Sequence, residues 1–292
     1  MSVSSFGVFL ALGFLVGVFL IWRLARAWDL NEEKILDLTL LTFLGGLIGA
    51  RLFFALGHME LFAENMLGII LINKLPGFSF WGGFLGGWLT LYFFTRKKGE
   101  DFWQISDIAA IGFLGGLVLT DVGCFLGGCS VGIQSNFFLA SHMVGFLGRR
   151  FPTQILEAAL LFLVMIRLWP IAVHFHPRGK ILSLTLIYVG AVKFLMEPLR
   201  QRGDESLIFP VVLIFLGAVL FYKVTKRHII SDLKNLWFYA IKLITVSKVR
   251  RYALERVKKY WYNQTTSFSW NIRNLRKTLR RFNVRFPYKK TQ

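Results

Sequence analysis

The chain has 292 residues, of which 55% are hydrophobic and 16% aromatic, and its formal net charge is +19. Soluble domains have an apolar fraction of roughly 45–50%, so this composition excludes an ordinary soluble domain. The positive charge is confined to one end, because residues 223–292 hold 19 of the 35 Lys and Arg residues but only two of the 16 Asp and Glu residues. We therefore predict an apolar domain over 1–222 and a separate basic segment over 223–292.

Seven apolar runs recur along residues 1–222, each near the roughly 20 residues that a bilayer-spanning helix needs. Backbone groups in lipid must be hydrogen-bonded within the protein, which favours helices. The sequence thus predicts an all-α, polytopic integral membrane protein with about seven transmembrane helices. The predicted spans are 5–22, 36–57, 79–95, 106–127, 154–171, 180–199 and 206–222, and an apolar stretch at 66–73 is too brief to span.

Basic residues alternate between the loops and predict the orientation of the chain. Arg23, Arg26 and Lys34 follow the first span, residues 96–98 bring three more cations after the third, and the basic tail follows the seventh. The intervening loops carry fewer cations. The positive-inside rule then places the N-terminus outside and the C-terminus inside. The first span does not resemble a cleavable signal peptide, because positive charge follows it instead of preceding it.

Glycine and arginine residues mark the outer halves of the second and third spans. Gly49 and Arg51 lie in the second span, and Gly82 and Gly83 open the third. Small residues let transmembrane helices approach closely, so the glycines fit helix packing. Arg51 is a charge at membrane depth, which costs roughly 2.5–3.5 kcal/mol and marks a candidate functional residue.

The outer end of the fourth span brings together Asp121, Cys124, Cys129 and Gly132. The two cysteines are five residues apart, and three interpretations stay open: a disulfide on the oxidising side, a metal site, or two free thiols in a packed site. The glycine pair at 127–128 comes just after the predicted helix end, so it fits a loop that needs unusual backbone angles or close approach to a ligand.

The fifth and sixth spans carry the densest set of charges. Gln154 and Glu157 share one face at the start of the fifth span, where Glu157 alternatively complements the helix dipole. Lys193, Glu197 and Arg200 are four, three and seven residues apart, which places all three on one face of a predicted helix. The structural alternative pairs the first two and leaves the arginine at the membrane edge.

The predicted orientation places these polar features of five spans at one depth, near the outer headgroup layer. Three of the residues are cations: Arg51, Lys193 and Arg200. Clustered cations bind phosphate groups through charge-assisted hydrogen bonds. The sequence therefore predicts a site for a phosphate-bearing lipid at the outer face.

The basic tail interleaves cationic and aromatic residues, and residues 231–262 predict a basic amphipathic helix. Cationic charge together with Trp and Tyr is typical of a helix that lies on an anionic inner leaflet. A nucleic-acid interface has a similar composition and is a less favoured alternative. A simple topology anchor is the third interpretation.

The order of these motifs resembles the prolipoprotein diacylglyceryl transferases, a family of seven-span bacterial inner-membrane enzymes. The matching segments are Gly49-Ala50-Arg51, Trp81 to Gly86, Arg96 to Gly99, Thr120 to Phe125, Phe151 to Ala158 and Lys193 to Arg200. In the last segment, Lys193-Phe-Leu-Met-Glu197-Pro-Leu-Arg200 is similar to the family's Arg-Phe-x-x-Glu-x-x-Arg. The resemblance covers about 1–222 and implies the family's fold.

The resemblance implies an activity, partners and a location. The family moves diacylglyceryl from phosphatidylglycerol to the lipobox cysteine that follows the signal peptide of a prolipoprotein, at the bacterial plasma membrane and without a metal or other cofactor. The implied catalytic residues are Glu157, Glu197, Arg200 and Lys193. The implied substrate-binding residues are Arg51, Gly82, Gly83, Asp121, Cys124, Gly132 and Gln154.

The chain departs from the family pattern at three charged or polar positions. Trp81 stands in place of a histidine, Asp121 in place of an arginine, and Lys193 in place of another arginine. These departures motivate two alternatives: an enzyme on the same fold with another lipid donor or acceptor, and a non-catalytic protein that binds anionic lipid or lipoprotein. The sequence offers no repeated pair of broken helices to support a transporter.

Overall fold

The computed structural model describes residues 5–62, 77–143, 145–201 and 207–226, together with scattered residues between 234 and 266. Helices dominate the described part, and their order follows the predicted spans. The helices are α1 (Ser5–Ala27), α2 (Glu32–Gly57), α3 (Met59–Phe62), α4 (Phe80–Lys97), α5 (Phe102–Gly127), α6 (Thr153–Val173), α7 (Lys180–Met196) and α8 (Ile208–Thr225). Between α5 and α6 lie two short antiparallel strands, β1 (Ser141–His142) and β2 (Arg149–Arg150).

Six of the described helices are long and apolar enough to cross a membrane: α1, α2, α5, α6, α7 and α8. The prediction of an all-α polytopic membrane protein is therefore confirmed. The predicted third span forms as α4, but its glycines and its terminal Arg96 and Lys97 make it less apolar than the other six. The predicted stretch at 66–73 lies outside the described residues.

The predicted sixth span, 180–199, is confirmed as a candidate membrane span. The prediction that one helix face carries Lys193, Glu197 and Arg200 is wrong, because α7 ends at Met196. Residues Glu197–Leu199 form a 3₁₀ turn, and Arg200 follows in an extended conformation. Pro198 has no backbone N–H to donate to the preceding turn, which stops the α-helical hydrogen-bond pattern. Lys193 and Arg200 are consequently not on one continuous helix face.

Glycines set the distances between three pairs of helices. In the α2–α4 pair, a Cβ on Gly49 would lie 2.5 Å from the Gly82 carbonyl oxygen. In the α1–α5 pair, a Cβ on Gly13 would lie 2.8 Å from the Gly116 oxygen. In the α7–α8 pair, a Cβ on Gly190 would meet the Pro210 oxygen at 2.8 Å. Close backbone contact of this kind is how small residues hold transmembrane helices together.

The centre of the bundle is formed by α5 and α7. In the most apolar 18-residue stretch of each helix, 44% of the residues of α5 and 56% of those of the α7 segment are buried, compared with 17% for α1, α2 and α8. Ile111 and Leu114 of α5 meet Leu161 of α6 and Val189 of α7 in one apolar core. This core fixes the outer ends of α6 and α7 beside each other.

The chain divides into two units, residues 1–226 and 227–292. Most of the predicted helix over 231–262 falls on residues outside the described ones. Among those described, Lys234, Phe238 and Thr245 are helical, Val246 is not, and helical residues resume at Ser247. The predicted single helix is therefore interrupted at Val246.

Candidate active site

A fully buried carboxylate, Glu157, lies at the centre of the charged cluster predicted from the sequence. Pro152 precedes α6, whose first residue is Thr153, so Glu157 lies just past the first turn at the outer end. One carboxylate oxygen, Oε1, is 2.6 Å from Lys193 Nζ, and the other accepts a hydrogen bond from Arg200. Both oxygens of this carboxylate therefore contact cations.

The two cations that contact Glu157 come from one segment of the chain, but they lie in parts of it with different backbone conformations. Lys193 projects from the last turn of α7, where its ammonium group lies 4.2 Å from the centre of the Phe80 ring. Arg200 follows the 3₁₀ turn and lies 3.7 Å from Glu197 through Nη1 and Oε2. Removing one member of such a buried ion cluster typically costs 3–5 kcal/mol. The structure thus brings Glu157, Lys193, Glu197 and Arg200 into one network.

The outer segment between α5 and α6 holds Arg200 in place through its backbone. Ile133 N donates to the Leu199 carbonyl at 2.9 Å, and Gln201 N donates to the Val131 carbonyl at 2.8 Å. Gly132 lies between these bonds, and a Cβ there would be 2.1 Å from the Phe151 carbonyl oxygen. Gly132 is therefore placed where only a glycine fits between crossing backbones.

The predicted substrate-binding residues Gln154 and Cys124 lie at the same outer segment. The Gln154 side-chain amide donates to the carbonyls of Cys129 and Ser130 at 2.6 and 2.9 Å. Cys124 and Cys129 form a disulfide, with their Cα atoms 5.0 Å apart. Of the three interpretations of the cysteines, the structure has the disulfide, and neither a thiol pair nor a two-cysteine metal site.

Arg51 and the glycines Gly82 and Gly83 belong to the α2–α4 side of the domain. Arg51 is buried, and its guanidinium donates to the Gly77 carbonyl at 2.9 Å, just before α4. A Cβ on Gly82 would lie 2.2 Å from the Cβ of Phe53, whereas one on Gly83 would meet its neighbours at 3.3 Å or more. Gly82 is therefore required by helix packing.

The two residues at which the sequence analysis expects a departure from the family pattern, Trp81 and Asp121, are both buried. Asp121 lies on the last turns of α5. Trp81, which is 3% exposed, stacks on Phe209 with ring centres 5.1 Å apart. Among the residues that the structure describes, the Trp81 indole N–H has no hydrogen-bond partner. Buried donors of this kind are rare in folded proteins and call for an explanation.

A second buried acidic site, which the sequence analysis missed, lies at the opposite end of α7. Asp107 of α5 accepts hydrogen bonds from the backbone N–H groups of Gly179 and Leu182 at 2.6 and 2.7 Å. Its Oδ2 is also 3.3 Å from His176 Nε2. The signal was present in the sequence, because a lone acidic residue within a span is a candidate functional group.

The environment of His176 favours its protonated form. Burial opposes protonation, but the hydrogen bond with Asp107 and the bond from the ring to the His174 carbonyl raise the pKa of His176 above its ordinary value of 6.5. The ring also lies edge-on to Trp28, with centres 5.0 Å apart. In the described part of the chain, no cluster of three or more His, Cys, Asp or Glu residues could hold a metal ion.

Comparison with known proteins gives one consistent result. A family model described as prolipoprotein diacylglyceryl transferase matches residues 1–223. The phosphatidylglycerol–prolipoprotein diacylglyceryl transferase of Thermoanaerobacter sp. (strain X514) is 26% identical over 226 residues, or 77% of this chain and 83% of that protein. The enzyme of the same name from Finegoldia magna is 25% identical over 242 residues, or 80% of this chain and 96% of that protein. The matched segment of the family model contains the whole charged network.

Proposed function

The chain belongs to the prolipoprotein diacylglyceryl transferase family, and we propose that it transfers the diacylglyceryl group of phosphatidylglycerol to the lipobox cysteine of prolipoproteins. Two substrates follow from this proposal: phosphatidylglycerol and the signal-peptide region of a prolipoprotein. The names of its relatives support both. The proposed location is the bacterial plasma membrane, which the apolar helices and the family support.

The observation that carries the proposal is the contact of the buried Glu157 carboxylate with both Lys193 and Arg200. A carboxylate between two cations fixes the cations in one orientation. Lysine and arginine each carry several N–H donors, so a cation that contacts the carboxylate through one donor can also donate to an anionic substrate through another. Arginine presents a rigid fork of donors that matches a phosphate, and lysine adds a point charge. The network therefore suits the phosphate of the donor lipid.

The reaction requires one bond to form and one to break. The cysteine thiolate attacks the terminal glycerol carbon of the diacylglyceryl group, which forms a C–S bond. The C–O bond to the phosphate breaks, its electron pair goes to the phosphate oxygen, and glycerol 1-phosphate leaves. Cations placed near the departing phosphate stabilise the charge that develops on it, an effect worth about 10²–10³ in rate for a single donor in other enzymes.

The two carboxylates have different roles in this proposal. Glu157 contacts cations through both oxygens and is fully buried, so it positions Lys193 and Arg200 and does not accept a proton. The Glu197 side chain is more accessible, with 13% of its surface exposed, and it lies beside Arg200. We assign Glu197 as the base that takes the thiol proton, a role that typically contributes 10²–10⁴ in rate.

Complementation tests the proposal directly. A bacterium depleted of its own diacylglyceryl transferase is supplied with this chain, and mass spectrometry reads the cysteine of an acceptor lipoprotein. We expect a diacylglyceryl-cysteine product that disappears with Arg200→Ala and persists with Arg149→Ala. Arg149 is the matched control because it is an exposed arginine of β2, close in sequence to the outer segment. Unmodified prolipoprotein in the presence of the folded, inserted chain contradicts the proposal.

A binding role without turnover is the second candidate, and Trp81 and Asp121 favour it. Both replace residues that the family pattern gives as histidine and arginine, and both are buried. If the folded chain retains phosphatidylglycerol through purification but leaves the lipoprotein cysteine unmodified, the result supports this second function. A change of lipid donor predicts transfer that reappears when other phospholipids are supplied.

A further inference from the structure

A cleft of about 350 Å³ lies between the inner ends of α1 and α6, in a part of the protein that the proposed reaction does not use. Its walls include Trp22, Arg23 and Arg26 from α1 and Trp169 and Val173 from α6. Trp169 follows Glu157 by twelve residues, which is about 18 Å along the helix. Small-ligand sites have volumes of roughly 300–1,000 Å³, so the cleft can hold a lipid headgroup.

The cleft is positively charged. Arg23 is exposed and has no hydrogen-bond or ion-pair partner among the described residues. Arg26, whose side chain is 68% exposed, lies over the Trp22 ring at 5.5 Å, and its Nε is 3.6 Å from Glu32. Glu32 also accepts a hydrogen bond from the Trp22 indole but is not part of the cleft wall. Among the described residues, no acidic side chain lines the cleft itself. Arg23 therefore faces it without an ion-pair partner among those residues, while Arg26 faces it beside Glu32, which lies just outside the wall.

The surroundings of the cleft match the membrane interface. The two tryptophans are typical of the headgroup level, where aromatic belts form in membrane proteins. From the cleft toward the middle of the spans, apolar side chains are exposed on both helices, including Phe19 of α1 and Leu163 and Ile166 of α6. Phe19 packs on Trp22 with ring centres 6.2 Å apart, so the apolar strip on α1 begins at the cleft. Acyl chains can follow these exposed side chains from the cleft toward the middle of the spans.

We propose that this cleft binds the headgroup of an anionic phospholipid from the leaflet at the inner end of the spans. The guanidinium groups of Arg23 and Arg26 donate to the phosphate, the tryptophans flank the glycerol, and the acyl chains follow the exposed strip. Arginine and phosphate form paired, charge-assisted hydrogen bonds, which an ammonium group does not reproduce. The proposal does not depend on the transferase activity.

Lipid retention tests the proposal. The full chain is purified and exchanged into phosphatidylglycerol or phosphatidylcholine, and native mass spectrometry counts the lipids that stay bound. We expect the Arg23→Gln/Arg26→Gln variant to retain about one phosphatidylglycerol fewer than the wild type. Each basic residue near an anionic surface contributes roughly fivefold in affinity, so the loss of two should lower the affinity at this site roughly thirty-fold. Phosphatidylcholine retention should be the same in both proteins.

Two control variants make the result specific. Arg96→Gln removes an arginine that also lies over an aromatic ring, Tyr92, at the inner end of α4 but outside the cleft, and it should retain lipid like the wild type. Arg23→Lys/Arg26→Lys keeps both charges and should bind more weakly than the wild type but more tightly than the glutamine variant. Because Arg23 and Arg26 are exposed, these changes leave the folded core intact.

Three outcomes overturn the proposal. Equal phosphatidylglycerol retention by the wild type and the double glutamine variant would show that the cleft holds no such lipid. Equal loss in Arg96→Gln would assign the effect to general surface charge. Binding of millimolar inorganic phosphate that depends on Arg23 and Arg26, with no phosphatidylglycerol retained at the cleft, would identify an ion site in place of a lipid site.

Discussion

Two buried carboxylates contact α7 or the turn that follows it, one at each end, and they are held in opposite ways. At the outer end, Glu157 contacts two side-chain cations, Lys193 and Arg200. At the inner end, Asp107 accepts hydrogen bonds from two backbone N–H groups, those of Gly179 and Leu182. The first site is built from long side chains that a substrate can engage, whereas the second is built into the start of a helix.

The kind of group that contacts a buried carboxylate, a side-chain cation or a backbone N–H, indicates the role of that carboxylate in a membrane domain. Gly179 is the N-cap residue of α7, with a positive φ of 88°, and it has no side chain that could cap the first backbone N–H groups of the helix. Asp107 supplies the cap from α5, and its negative charge complements the positive end of the helix dipole. We therefore assign Asp107 to folding and Glu157 to chemistry, and each assignment makes a different prediction.

The largest effect is expected for Glu157→Gln, which removes the charge at nearly constant shape. The amide retains one oxygen but no charge, so one of the two cations loses its acceptor, and Lys193 and Arg200 both lose the negative charge that orients them. We expect diacylglyceryl transfer to fall by about 10²-fold or more, since the phosphate-binding donors are displaced. The measurement is the rate of lipoprotein modification in membranes that contain equal amounts of inserted protein.

Combining two substitutions separates loss of chemistry from loss of folding in that experiment. Glu157→Gln/Lys193→Met restores the charge balance of the network, so it should regain most of the stability that the single variant loses. Transfer should stay low, because the carboxylate and one cation are both absent. Recovery of transfer along with stability would show that Glu157 serves only to neutralise its neighbours.

Asp107→Asn should produce the reverse pattern, with a smaller effect. The amide group retains one acceptor but turns a donor toward the N–H groups at the start of α7, so buried hydrogen bonds are lost. We expect the free energy of unfolding to fall by about 1–3 kcal/mol, while transfer per folded molecule stays unchanged. Asp101→Asn is the matched control, because Asp101 caps α5 at a half-exposed position. A loss of transfer without a loss of stability would contradict the assignment.

Of these two sites, the sequence predicted only the outer one, because the contacts of the inner site join residues that are far apart in the chain. Glu157, Lys193 and Arg200 were recognisable because their charges lie within apolar spans and match a family pattern. The end of α7 at Met196 depends on Pro198 and was not predicted. Asp107 was visible as a charge in a span, but its hydrogen bonds depend on the approach of α5 to residues more than 70 positions away. Local patterns contain no information about that approach.

The next prediction concerns Trp81, a buried residue of α4 where the resemblance leads us to expect a histidine. Trp81→Phe keeps the stacking on Phe209 but removes an indole N–H that has no hydrogen-bond partner among the described residues. If that donor binds the lipid substrate, its loss should raise KM for phosphatidylglycerol about three- to tenfold, the value of one neutral hydrogen bond. An unchanged KM together with higher stability would show that the N–H group binds nothing.

The smallest effect is expected from pH, and it should appear only at the inner site. The pKa of His176 is raised in the folded protein by its bonds to Asp107 and to the His174 carbonyl, although burial and nearby Lys180 oppose this. A raised pKa means that protonated His176 stabilises the fold fully below its ordinary value of 6.5, and that this stabilisation is lost as the pH rises through the higher, folded value. The unfolding temperature of the wild type should therefore decline between pH 6 and pH 9, whereas that of His176→Gln should not.

An equal decline of the unfolding temperature in both proteins would assign it to other groups. Because His176 contacts the cap of α7 and not the outer network, Glu157→Gln should leave this decline unchanged.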